Sequence, residues 1–138
     1  MPLDPTVLGF SNRWYGGAMQ HAREFLLKRD LRIRVVTAPY FLATKFEAFH
    51  GRGGGDVLTS HDLEDIISVI DGRQEILSEV FGAEPEVRQF LGEQIEHLIA
   101  DRVFANALEG FLPGDRASQD RAPLLQERLQ SLAQARRQ

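Results

Sequence analysis

Apolar positions along this chain recur mostly at three- and four-residue spacing, and only once with period two. The period-two stretch is Leu31-Arg32-Ile33-Arg34-Val35-Val36, where apolar and basic residues alternate as on a strand with one buried face. It is the only convincing strand in the sequence. One strand makes no sheet, so its partners are expected from Pro5–Phe10, from a second copy, or from chain outside these residues. Helical spacing governs the rest. Ser11 suits the cap of a helix from about Asn12 to Lys28, with Trp14, Tyr15, Ala18, Ala22, Phe25 and Leu26 on one side. Gly16-Gly17 weakens the first turn of that helix. Pro39 fits the first turn of a second helix running to about His50. Thr59 or Ser60 caps a third, striped by Leu63, Ile66, Ile67 and Ile70 and ended by Asp71-Gly72. A short amphipathic helix over Arg73 to Phe81 closes at Gly82. The longest helix opens at Glu84-Pro85-Glu86, carries Val87, Phe90, Leu91, Ile95, Leu98, Ile99, Val103 and Leu108 as its stripe, and stops before Pro113-Gly114. A polar stretch, Asp115 to Arg121, leads to a last helix with Leu124, Leu125, Leu129 and Leu132. The pattern leaves open whether that tail is a mobile appendage or a partner-binding helix. The expected fold class is α+β, predominantly α-helical, with a small sheet and four to six helices packed on it.

Composition adds bounds. The 138 residues are one domain's worth of chain, and 43% hydrophobic with 26% charged residues is an ordinary globular balance. A formal net charge of -4 argues against a surface that coats nucleic acid, while leaving room for a local basic patch. With no cysteine there is neither a disulfide framework nor a thiolate zinc site. No apolar run reaches membrane-spanning length, and the expected location is the cytoplasm.

The candidate chemistry gathers in Thr37 to Gly72. Counting threes and fours from Lys45 lands on Phe41, Leu42, Ala48 and Phe49, which places a lysine inside an apolar stripe. A lysine rarely sits there unless its ammonium is paired or reaches water. Asp62 and Asp65, on one face of the next helix, are the partners on offer. Two readings follow: a cation held by carboxylates to contact phosphate oxygens, or a structural ion pair tying two helices together. If both carboxylates are buried, Lys45→Ala should cost on the order of 3–5 kcal/mol on the structural reading. The glycine loop Gly51 to Gly55 matches neither phosphate-loop spacing and reads first as a connector, from which Arg52 can reach an anionic ligand. His50, His61, Asp56 and Asp62 fit no standard zinc pattern. No Asp-x-Asp follows a strand, although metal-dependent nucleotidyl transfer needs such a pair.

At TAPYFLATKFEAFHGRG and SHDLEDIISVIDGR the chain resembles the C-terminal half of the abortive-infection nucleotidyltransferases of the AbiEii/AbiGii type, the toxins of type IV toxin–antitoxin pairs. Thr44-Lys45-Phe46-Glu47-Ala48 matches the x-K-x-x-A motif of that family. Arg52 with Asp62-Leu63-Glu64-Asp65 loosely matches its R-x-x-D-x-x-D-like motif. The resemblance covers roughly Pro2 to Val80. It implies a catalytic role for Lys45, Asp62 and Asp65, ligand binding by Lys45 and Arg52, and Mg²⁺ with a nucleoside triphosphate as ligands. It also divides the chain into a core portion over residues 1–82, a packing helix over 83–112 and a linker with terminal helix over 113–138. The family's Gly-rich helix start and metal-binding carboxylates would lie upstream of Met1, so an incomplete catalytic site is expected here. An open sheet edge then predicts a homodimer, and the lineage implies an antitoxin partner. The alternative is a non-catalytic helical interaction module that self-associates through the sheet edge.

Overall fold

The computed structural model describes residues 13–28, 31–51, 56–57 and 60–137. The protein is predominantly helical. A short helix α1 (Tyr15–Gln20) leads into strands β1 (Arg23–Lys28) and β2 (Leu31–Val35). Then come α2 (Ala38–Gly51), α3 (His61–Gly72), α4 (Ile76–Phe81), α5 (Pro85–Ala100) and α6 (Arg102–Ala107). A 3-10 turn (Leu108–Phe111), α7 (Arg116–Gln119), α8 (Ala122–Ala133) and a terminal 3-10 turn (Gln134–Arg137) complete it.

The expected strand is present, but its partner is not where the sequence reading placed it. β1 and β2 form an antiparallel hairpin, with Arg23 opposite Val35 and Phe25 opposite Ile33, and a register irregularity between Leu26 and Lys28. The helix expected over Asn12 to Lys28 therefore ends at Gln20. Arg23–Lys28 holds one run of three apolar residues, too short to tell helix from strand, and pairing with β2 satisfies its backbone groups. Pro5–Phe10, the other candidate partner, lies outside the described residues. Gly17 lets α1 approach α2 closely: a Cβ there would sit 2.5 Å from the Tyr40 ring.

α5 is the spine of the domain. α2, α4, α6, α8 and the terminal 3-10 turn all pack on it. Its Leu91 and Ile95 are fully buried, together with Phe46 of α2, Ile66, Ile67 and Ile70 of α3, and Leu125 and Leu129 of α8. Each such side chain contributes about 1.5–3 kcal/mol of transfer free energy. Trp14 anchors the N-terminal end against Phe90, ring centroids 4.8 Å apart. The long helix expected as far as Leu112 breaks at Asp101, whose carboxylate accepts from the amides of Val103 and Phe104 and starts a new helix. The break turns Val103 outward, so it leaves the expected stripe, and buries Phe104 instead. The tail is part of the core, since Leu125, Leu129 and Leu132 are buried in the same cluster as α3 and α5. Of the four leucines of α8, Leu124 faces solvent.

Candidate functional site

Two local facts set the site. Pro39 occupies the first turn of α2, where its missing amide hydrogen costs nothing, and the helix runs on past Lys45. Ser60 caps α3, its Oγ accepting from the Leu63 amide at 3.1 Å. With the cap at Ser60, Asp62 falls in the first turn, the end of the helix dipole that favours an acid. Asp65 follows on the same face, and both reach α2.

Lys45 donates to Asp65 Oδ2 at 2.8 Å and, more loosely, to Asp62 Oδ1 at 3.4 Å. Its Nζ also lies 5.6 Å from the centre of the Phe41 ring. The three residues singled out in the sequence are thus brought together. Their burial is unequal: the side chains of Lys45, Asp62 and Asp65 are 25%, 12% and 52% exposed. Burial pushes the Lys45 ammonium down, but the hydrogen bond and charge of Asp65, with those of Asp62, outweigh it and hold the lysine above its usual value. A raised pKa means that this contribution to stability is complete below about pH 10.4, the unfolded value, and fades as pH rises through the folded one. The difference in unfolding free energy between wild type and Lys45→Met should therefore shrink above about pH 10.5 in paired urea titrations. A difference that persists unchanged there would locate the stabilisation in something other than the charge of the ammonium.

The half-exposure of Asp65 corrects one expectation. Lys45→Ala leaves only Asp62 in a poorly solvated place, so its cost falls from the expected 3–5 to about 1–2 kcal/mol.

The other candidates separate from this cluster. Arg52 lies outside the described residues. His50 pairs with Gln94 of α5, His61 with Glu64 on its own helix at 3.2 Å, and Asp56 is exposed. Among the described residues no group of three or more His, Cys, Asp and Glu side chains could hold a metal ion. Mg²⁺ does not fit at Lys45 in particular, because an ammonium already occupies the place between the two carboxylates. An ammonium carries three donors and the two aspartates take two, which leaves one for a further acceptor.

Beside the cluster, sequence reasoning missed a cleft of about 560 Å³ between the base of the hairpin, α2, α3 and α4. Arg23 and Arg73 line it, with Thr37, Phe41 and Ser68. In the sequence Arg73 stands at a helix boundary and Arg23 falls in the stretch expected to be helical, whereas here Arg23 opens β1. Comparison with protein-family models, with curated proteins and with solved structures found no match.

Proposed function

We propose that this chain is a nucleotidyltransferase-superfamily protein that binds the phosphate groups of a nucleoside triphosphate through Lys45. Asp62 and Asp65 hold the ammonium charged and aimed. The observation that carries the reading is an ammonium gripped by two carboxylates of another helix while a quarter of its side chain stays open to solvent. A lysine that pairs with both acids and still reaches water keeps its head within a ligand's reach. The role assigned to Lys45 is electrostatic: a fixed positive charge beside phosphate oxygens, needing no reorganisation when the ligand arrives. Group transfer is not assigned to these residues alone, because no Asp-x-Asp pair follows a strand in the sequence. Binding by this chain is accordingly weak.

Calorimetric titration with Mg-ATP tests it, using wild type and Lys45→Met. The expected result is a weak binding heat that Lys45→Met abolishes while unfolding free energy drops only about 1–2 kcal/mol. Equal affinities in the two proteins would sink the assignment of Lys45.

A second reading rests on the hairpin. Two strands are all the sheet seen among the described residues, Val35 is 42% exposed, and a two-stranded sheet offers edges for pairing. In that reading the chain is a non-catalytic module that dimerises through the hairpin or docks a partner such as an antitoxin, and Lys45 is only a tie between α2 and α3. No ATP binding, together with a concentration-dependent dimer mass in sedimentation, is its expected signature.

A further inference from the structure

The cleft beside the hairpin has the makings of a binding site of its own, and nothing in the Lys45 reading accounts for it. Its volume of about 560 Å³ falls in the range of small-molecule sites. The walls divide by chemistry. Val36, Phe41 and Val69 give it an apolar side, while Arg23 and Arg73 stand on the rim with the Ser68 hydroxyl. The two guanidiniums are prepared differently. Arg73 is gripped by Glu79, through its Nε and through Nη2 at 3.0 Å, so its plane is fixed and Nη1 stays available. Arg23 has no ion-pair partner among the described residues and is exposed, so its whole fork is available. Of the charged residues that line the cleft two are arginines and one is a glutamate, while Glu75 outside the lining adds its charge near Arg73. The fourteen-residue α2 starts at Ala38, directly after Thr37, and brings its positive end to the same wall.

We infer that this cleft binds a small organic anion, an oxyanion head such as a phosphate ester or carboxylate carried on an apolar body. The head group lies between Arg23 and Arg73, and the body lies along Phe41 and Val69. Inorganic phosphate lacks the body and a neutral aromatic lacks the head, so each alone binds less well than a molecule that joins them.

Amide and side-chain NMR of the full chain titrated with phenyl phosphate tests this, with inorganic phosphate and benzyl alcohol as controls. Saturable shifts are expected at Val36 to Phe41 and Ser68 to Arg73, with the controls weaker. Arg23→Gln should weaken phenyl phosphate about tenfold, since a charge-assisted hydrogen bond is lost from a residue with no structural partner. In Lys45→Met the saturable shifts at Ser68 to Arg73 should persist, which separates the inference from the phosphate reading of Lys45. Absence of saturable shifts at millimolar phenyl phosphate would overturn it. So would binding that Arg23→Gln leaves intact, or shifts that centre on Lys45 and vanish in Lys45→Met.

Discussion

Replacing Gly92 by alanine is expected to destabilise the protein by about 1–3 kcal/mol, although alanine is the better helix former by about 1 kcal/mol. Gly92 is buried in the middle of α5, and its hydrogen faces the terminal 3-10 turn. A Cβ there would lie 2.2 Å from the Arg136 amide nitrogen and 2.9 Å from Ala135 C and Arg136 Cα. All three are backbone atoms, so no side-chain rotation relieves the overlap. The turn is also held in place: Ala135 is fully buried, and Arg136 Nε sits 2.7 Å from Glu96 Oε2 on α5. Either α5 and the turn move apart, emptying part of a close-packed interface, or the turn detaches and exposes Ala135. Both outcomes lower the urea midpoint. Amide exchange over residues 134–137 distinguishes them, because detachment removes protection there while leaving α5 protected. A variant more stable than wild type would mean that helix propensity outweighs the contact.

The same position shows where sequence patterning stops being informative. Local periodicity is enough to place α3, whose Leu63, Ile66, Ile67 and Ile70 are all fully buried at the spacing that identifies them. Caps were readable too, because Ser60 acts within three residues of itself. Asp101 offered an equally local signal, but the apolar spacing running across it through Val103 and Leu108 masked it. Gly92 carries no such signal. The residue that requires it lies more than forty positions away, and only the packed structure brings the two together. β1 failed for a related reason. Its apolar residues match a helical period as well as a strand, and the pairing that decides between them belongs to β2.

Of the candidate site, the part carried on helices was legible. Lys45 breaks an apolar stripe, and a buried lysine needs an acid on whichever helix packs there, which singles out Asp62 and Asp65. How exposed the acids would be was not legible, because exposure is set by the packing of whole elements and not by spacing along α3. The arginine cleft was less readable still. Its walls come from the hairpin and three helices, with Arg23 and Arg73 fifty residues apart in the chain and no shared periodicity.

Arg128→Ala is expected to cost about 2–3 kcal/mol, by opening the C-terminal end of α3 from a distance. α3 has no basic residue in its last turn, and Asp71 adds a negative charge at the end where the dipole disfavours one. The compensation comes from the C-terminal segment. Arg128 Nη1 donates to the carbonyls of Ile70 and Asp71 at 3.0 and 2.7 Å, and Arg121 grips the Asp71 carboxylate through two nitrogens at 3.2 and 2.9 Å. The two arginines should respond differently to lysine. Arg128 works through a single nitrogen, so Arg128→Lys retains most of the stability. Arg121 uses a fork that an ammonium cannot reproduce, so Arg121→Lys loses most of its own smaller share, screened by solvent at 42% exposure. Urea unfolding of the four proteins, with unchanged m-values, checks the ranking, and an Arg128→Ala variant within about 0.5 kcal/mol of wild type would refute the cap. The consequence reaches the cleft, because Arg73 directly follows α3 and its amide donates to Val69 O at 3.0 Å as the helix ends. Loosening that end lets Arg73 move, so Arg128→Ala, still folded, should also bind phenyl phosphate more weakly, and unchanged affinity would show that Glu79 alone holds Arg73 in place.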